Sequence, residues 1–255
     1  RWVMVNTALK PYSGMVEIQA ALPARACFVD GSGAKLATQT TASGACLVSL
    51  PMVPALGYQT VYELENPEGD VLAGNPAARD DLLRVDSAKN TIENAWIKVA
   101  VGPDGALNLI DKVNKVTYSN LAIFEDGGDA GDTYNTSYPR HDLVLTSRGQ
   151  KAEIRFLEAG PLRARLVIKQ HLRIPRELAP DRTTRSSETI ILPIHTTVTV
   201  EANSALVKFH TAVSNTARDH RLRVLFPTGI QTTVSHAETQ FDVVTRPISP
   251  QRYDD

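Results

Sequence analysis

Alternation of apolar and polar side chains constrains this chain more than any other feature. It is clearest over residues 162–174, where Leu166 and Ile168 alternate with Arg165 and Lys169. Successive side chains of a β-strand point to opposite faces, so such a segment predicts a strand with one apolar face. The run at 189–200 predicts its antiparallel partner, and the polar excursion 175–188 predicts the loop that joins them.

Shorter runs of the same kind fill the rest of the chain. Before residue 66, turn-forming Gly, Pro, Ser and Asp residues separate them. The strands predicted there are 2–5, 15–22, 27–29, 45–50 and 58–64. Their length and spacing favour a small β-sandwich of immunoglobulin-like build over residues 1–66. Residues 67–90 are rich in Asn, Pro, Gly and Asp, and predict a linker.

Residues 91–255 predict a second β region. It opens with a hairpin, because Asp104-Gly105 lies between two alternating segments. Further strands are predicted at 121–124, 143–146, 152–157, 206–213, 222–226 and 241–245. No closing strand follows residue 247, and folded proteins usually cover or charge an open sheet edge. We therefore expect this region to be incomplete at its C-terminal end. The start at Arg1, without a methionine, likewise predicts a fragment of a longer polypeptide.

Charge and cysteine content exclude several classes of function. The chain has 27 basic and 28 acidic residues, so it lacks the excess of positive charge expected of a protein that binds nucleic acid or an anionic membrane. No apolar run approaches the roughly 20 residues that span a bilayer. Cys27 and Cys46 have no metal-binding spacing, and we interpret both as reduced residues of a cytoplasmic protein. The alternative is a single disulfide between Cys27 and Cys46, which the sequence leaves undecided. The six histidines are scattered singly, so we expect no metal site in this chain.

The stretch 124–140, FEDGGDAGDTYNTSYPR, is the candidate binding segment. It combines carboxylates, glycines and two tyrosines, which are the groups that contact sugar hydroxyls and sugar faces. The alternative interpretation is a solvated acidic turn, because Gly and Asp are ordinary turn formers. A paired-carboxylate glycosidase site needs two carboxyls held about 5 to 9.5 Å apart, usually on a rigid scaffold. We therefore expect this segment to contact a sugar, and we expect no catalytic residue in this chain. Further on, we interpret Asp219-His220 as part of a turn with exposed charges.

Several motifs in one order resemble the C-terminal half of bacterial family-38 glycoside hydrolases, the α-mannosidases and mannosylglycerate hydrolases. They are Ile-Glu-Asn at 92–94, the Gly-Pro-Asp-Gly hairpin with LNLIDK, FEDGGDAGDTYN, SNTARDHRLRVLFPTGI and AETQFDVVTRPI. The likeness is most specific from residue 92 to residue 248. It implies an all-β architecture in which the small sandwich is followed by an antiparallel supersandwich like that of galactose mutarotase, truncated here.

The resemblance also implies a division of labour in the parent protein. In this family a zinc ion, its His and Asp ligands and the nucleophilic aspartate lie in an N-terminal α/β barrel. The chain is then an accessory β region of a retaining α-mannosidase-type enzyme, inactive alone, which supports the barrel and completes a mannoside pocket. The alternatives are a self-sufficient carbohydrate-binding module and a purely structural or interaction domain. Assembly into homo-oligomers is left open.

Residue roles are carried over from the family only for the loop at 128–135. The resemblance implies that this loop faces the barrel's active site and contacts the leaving-group sugar or glycerate. The predicted substrate-binding residues are Tyr134, Asp132, Asp129 and Asn135, with Tyr134 as the first choice for a hydroxyl contact. Bacterial relatives commonly carry an acidic residue in place of Thr133 and an aromatic one in place of Thr136, so subsite preference stays open.

Overall fold

The computed structural model describes residues 1–19, 26–65 and 82–249, and within these ranges it contains β-strands and no helix. Every strand pair it describes within a sheet is antiparallel. The all-β class predicted from alternation is therefore confirmed. The long strand predicted at 162–174 is present as Arg163–Pro175.

The N-terminal region is built from two three-stranded sheets. The strands are β1 (Trp2–Val5), β2 (Met15–Ile18), β3 (Ala26–Val29), β4 (Thr38–Thr40), β5 (Cys46–Ser49) and β6 (Tyr58–Glu65). One sheet has the order β1-β6-β3 and the other β2-β5-β4. Phe28 and Val61 from the first sheet and Val48 from the second belong to one buried cluster, as expected for a sandwich. Cys27 and Cys46 are unpaired and half-buried.

A five-stranded meander begins the second region. Its strands are β7 (Arg84–Asp86), β8 (Thr91–Glu93), β9 (Ile97–Val101), β10 (Leu107–Asp111) and β11 (Val116–Leu121), in the order β11-β10-β9-β8-β7. The predicted hairpin joins β9 to β10, with the Gly105 amide donating to the carbonyl of Gly102 at 2.9 Å. Residues 67–81 of the predicted linker lie outside the described residues. The remainder contains β7, which pairs with β8, and the boundaries at 66 and 90 stay a prediction.

A four-stranded sheet covers this meander. It consists of β14 (Glu153–Ala159), β15 (Arg163–Pro175), β16 (Thr189–Glu201) and β17 (Val207–Val213). β15 and β16 pair along their whole length, from Arg163 opposite Glu201 to Pro175 opposite Thr189. Leu166 and Ile168 of β15 share the largest buried cluster with Val99 of β9. The apolar face read from the alternation therefore builds the core of the second region.

The strand that precedes the candidate site belongs to a third, smaller sheet. Its strands are β12 (Ile123–Gly128), β13 (Leu145–Thr146) and β18 (His220–Leu225), in the order β13-β12-β18. Phe124 of β12 packs in one cluster with Leu172 and Ile174 of β15. Burial of Phe124 thus anchors β12, and the chain enters the acidic segment from this anchored strand.

The last two strands, β19 (Val234–Thr239) and β20 (Asp242–Pro247), form a separate hairpin.

Gln39 of β4 joins the N-terminal region to the second one. Its side-chain oxygen accepts from the amides of Leu162 and Arg163, both at 2.8 Å, and its Nε2 donates to the Arg163 carbonyl at 2.8 Å. Arg163 adds an ion pair to Glu17 of β2 at 2.8 Å. Gln39 is 8% exposed, so it replaces the hydrogen bonds that water would otherwise make to the backbone there.

Replacing Gln39 with alanine is expected to lower the free energy of unfolding by about 2 to 4 kcal/mol, because it leaves two shielded amides without an acceptor. Denaturant unfolding measures the change. Gln150→Ala is the control, since Gln150 is exposed and its side-chain Nε2 donates to the Thr146 carbonyl at 2.7 Å. The control should stay within about 0.5 kcal/mol of the parent. Equal effects of the two substitutions would contradict the role given to Gln39.

Candidate functional site

The predicted acidic stretch divides into a strand and a loop. Glu125 and Asp126 belong to β12, so the loop begins only after Gly128. Their side chains point to opposite faces: Asp126 is fully buried, and Glu125 forms an ion pair with Arg223 of β18. The strand predicted at 121–124 therefore continues to Gly128, and the alternative of a solvated acidic turn does not hold for Asp126. The physical reason is that β18 pairs with β12 through Gly127 and Gly128 despite their weak strand propensity.

Residues 129–137, which we call the acidic loop, are held by their own carboxylates. Oδ1 of Asp129 accepts from the amides of Gly131 and Ser137 at 2.9 and 3.0 Å. Oδ1 of Asp132 accepts from the amides of Tyr134 and Asn135, both at 2.8 Å. Such bonds from an aspartate to amides further along the chain are the ordinary chemistry of turns. The turn-forming interpretation of the acidic residues is therefore correct for these two oxygen atoms.

Gly131 is required by the close approach of the two halves of the acidic loop. A Cβ at this position would lie 1.8 Å from the carbonyl oxygen of Asn135. The Ala130 amide donates to the Ser137 carbonyl at 2.7 Å across the same contact. No side chain fits there without reshaping the loop.

The four predicted substrate-binding residues lie together in the acidic loop. Tyr134 is 91% exposed and projects from the loop, while Asp132 and Asn135 are exposed beside it and Asp129 is half-buried at its base. The backbone bonds fix the positions from which these side chains extend. Their contact with a sugar stays a prediction.

Two further segments lie against the acidic loop or against the chain that leaves it. The first is residues 176–188, which we call the excursion loop; its Thr183 carbonyl accepts from the His141 amide at 2.8 Å. The second is residues 214–219, whose Asp219 carbonyl accepts from the Asp129 amide at 2.9 Å. These two segments contact each other through an ion pair between Arg182 and Asp219 at 3.2 Å. Three stretches distant in sequence therefore meet where β12 ends.

A buried ionic cluster lies beneath these loops, and the sequence interpretation missed it. Oδ1 of Asp126 is 2.6 Å from Nη1 of Arg185, and Oδ2 is 2.5 Å from Nδ1 of His220. The side chains of Arg185 and His220 are 1% and 5% exposed. The prediction of exposed charges at Asp219-His220 was therefore wrong for His220, which begins β18 and faces Asp126. The available signal was alternation: Asp126 shares the buried face of Phe124, two residues before it.

Among the described residues, no group of three or more His, Cys, Asp and Glu side chains is placed to hold a metal ion. The zinc implied by the family resemblance therefore finds no fitting ligand set in the described part of this chain. Those same ranges contain no helix long and apolar enough to cross a membrane.

Comparison with known proteins gives the family to which this all-β chain with its acidic loop belongs. Residues 92–255 match the model of the glycosyl hydrolases family 38 C-terminal domain. This match covers more than half of the chain, so the chain belongs to glycosyl hydrolase family 38, as its C-terminal domain. The resemblance drawn from the sequence motifs is confirmed.

Similar proteins are longer than this chain. A putative mannosylglycerate hydrolase of Halalkalibacterium halodurans is 31% identical over 187 residues, which are 68% of this chain and 21% of that protein. The crystal structure of an alpha-mannosidase from Enterococcus faecalis V583 matches 97% of this chain and 33% of its own, at 25% identity and a TM-score of 0.80. A second structure, of a glycosyl hydrolase family 38 protein from Enterococcus faecalis, matches 96% of this chain and 35% of its own, at 26% identity and a TM-score of 0.76. The chain thus spans about a fifth to a third of these relatives.

Replacing Gly131 with alanine is expected to open the acidic loop, because the added methyl group would meet the Asn135 carbonyl at 1.8 Å. Hydrogen exchange at the amides of Gly131's neighbours and of Ser137 measures the opening, and it should become faster. Gly31→Ala is the control, since a Cβ there meets nothing within 4 Å. Unchanged exchange at Ser137 in the Gly131 variant would contradict the close packing of the loop.

The acidic loop is also expected to respond to pH through Asp132. The amides of Asn135 and Tyr134 hold the pKa of Asp132 below its ordinary value of 3.8. A lowered folded-state pKa means that these bonds stabilise the loop above pH 3.8 and are lost as the pH falls through the lowered value. Amide shifts of residues 134 and 135, followed by NMR, should titrate below pH 3.8, and Asp132→Asn should abolish that step. A midpoint at or above 3.8 would be inconsistent with the observed bonds.

Proposed function

We propose that this chain is the accessory C-terminal β region of a retaining α-mannosidase-type glycoside hydrolase. In this proposal it supports a catalytic domain elsewhere in the polypeptide and contributes the acidic loop to the mannoside pocket. Zinc belongs to that catalytic domain, and the isolated chain is inactive. A cytoplasmic location remains a prediction from its cysteine usage.

One observation carries the role of the loop. Tyr134 is 91% exposed although the loop beneath it is fixed by four amide-to-carboxylate bonds. An exposed aromatic ring on a loop whose backbone is already fixed offers a flat apolar face and a hydroxyl group, and only the side chain remains to be ordered on binding. This is the arrangement that recognition of a sugar by stacking and hydrogen bonding requires. Family membership supports mannoside chemistry, since the relatives are described as an alpha-mannosidase and a mannosylglycerate hydrolase.

The test is Tyr134→Phe in the full-length protein, with α-linked mannobiose as substrate. Loss of one hydroxyl contact is expected to lower kcat/KM by about tenfold, mainly through KM. Tyr58→Phe is the control, because Tyr58 is also exposed but lies on β6 of the N-terminal sandwich. If turnover and affinity are the same in the Tyr134 variant and the parent, the role of the loop is wrong.

The isolated chain separates the proposal from its alternatives. We expect no hydrolysis and no heat of binding with mannobiose in calorimetry. Saturable binding by the chain alone would favour a self-sufficient carbohydrate-binding module. A purely structural or interaction domain is favoured by the apolar side chains exposed near β17 and β18, where Phe209 and Phe226 stack edge to face with ring centroids 5.5 Å apart. That alternative predicts that Tyr134→Phe leaves turnover and substrate affinity unchanged.

A further inference from the structure

One guanidinium group contacts the chain on both sides of the segment that carries the acidic loop. Arg185 lies 2.6 Å from the carboxylate of Asp126, which precedes the loop, and donates to the carbonyl of Leu143, which follows it, at 3.1 Å. Arg185 itself belongs to the excursion loop. It therefore ties residues 126 and 143, which the pairing of β12 with β13 already brings near each other, to a third segment.

Asp126 extends the same cluster to the second neighbouring segment. Its other carboxylate oxygen contacts Nδ1 of His220, and Nε2 of His220 faces Oδ1 of Asn215 at 3.1 Å. Asn215 is oriented by the Ala217 amide, which donates to the same Oδ1 at 2.9 Å. The buried cluster consequently connects all three segments that meet at the end of β12.

Side chains from these segments pack closely against the backbone of Gly128. A Cβ there would lie 2.8 Å from Cγ of Pro139 and 3.2 Å from Cδ2 of Leu178, which belong to the two segments joined by Arg185. Leu178 also forms a backbone bridge with Arg185. A shift of the excursion loop would therefore be transmitted to the chain that leaves the acidic loop.

The cluster is a poor source of net stability. Among the described residues, Nε and Nη2 of Arg185 and Oδ1 of Asp126 have no hydrogen-bond partner, although both side chains are buried and the Asp126 oxygen lies 2.6 Å from Nη1 of Arg185. Buried ion pairs are often matched or exceeded in stability by apolar residues of similar volume. What the pair provides is geometry, because a single nitrogen, Nη1, lies against the carboxylate of Asp126 and donates to the carbonyl of Leu143.

We propose that Arg185 is a positioning residue: through Asp126 and Leu143 it sets the acidic loop at the place from which Tyr134 reaches the substrate. This inference rests on the proposed function, since it assigns Arg185 an effect through Tyr134. Arg185 itself touches no substrate.

Arg185→Lys in the full-length protein tests the proposal, because lysine keeps the charge but its amine ends one bond short of the position of Nη1, which makes both contacts. With mannobiose we expect KM to rise by about tenfold and kcat to stay within about twofold. The combined Arg185→Lys and Tyr134→Ala variant should be no worse than Tyr134→Ala alone, since without the Tyr134 side chain there is no contact left for Arg185 to position. Losses that multiply in the combined variant would overturn an effect through Tyr134. Arg176→Lys is the matched control: Arg176 lies on the same loop in an exposed ion pair with Glu188 at 2.6 Å.

Hydrogen exchange distinguishes failure of this inference from failure of the proposed function. In Arg185→Lys the Ser137 amide should exchange faster, while amides of β15 and β16 should keep their rates. Unchanged exchange at Ser137 would overturn the positioning role whatever the kinetics. A third outcome is faster exchange at Ser137 in Arg185→Lys with parental kinetics in both the Arg185 and Tyr134 variants. That outcome would overturn the proposed function, but it would support the inference that Arg185 positions the loop. If Arg185→Lys does not fold, Asp126→Asn takes its place with the same expected outcomes.

Discussion

The fully buried carboxylate of Asp126 is the constraint on which the candidate site depends. A charge without solvent must be neutralised by partners with correct geometry, because an unpaired buried ion is strongly destabilising. Its two partners, Arg185 and His220, come from segments that are distant in the sequence. Strand pairing places His220 opposite Gly128, and the ion pair with Asp126 holds Arg185 beside the same strand, so the acidic loop starts from a base that cannot shift freely.

Side chains that satisfy distant backbone groups recur elsewhere in the fold. Gln39 supplies acceptor and donor atoms to the backbone at residues 162 and 163. Asn94 does the same at a corner of the meander, where its Nδ2 donates to the carbonyls of Glu201 and Ser204 at 2.9 and 2.7 Å. Each amide replaces a hydrogen bond that a strand partner would otherwise supply. These side chains thereby connect sheets whose strands do not pair with each other.

The long strands could be predicted from the sequence, and the short polar ones could not. Alternation with one apolar face located Arg163–Pro175 and Thr189–Glu201 because their core faces carry the hydrophobic signal themselves. Thr38–Thr40 and Val234–Thr239 lack that signal, since their pairing comes from neighbouring strands. The strand predicted at 121–124 stopped short of Asp126 for a related reason: Gly127 and Gly128 favour a turn locally, and only the pairing with β18 makes them a strand. Single-sequence reasoning cannot detect such a partner.

The same limitation explains why the sequence indicated that residues 129, 132, 134 and 135 share one loop, whose contact with a sugar stays a prediction, while the cluster beneath them was missed. Residues of the acidic loop interact with one another over short distances in the sequence, so their spacing already contains the geometry. Arg185 and Asp126 lie 59 residues apart and carry no shared pattern. The turn and binding interpretations of the loop are also compatible, because they use different groups. Oδ1 of Asp129 and Oδ1 of Asp132 hold the backbone, and that bonding is what leaves the ring of Tyr134 extended into solvent on a rigid support.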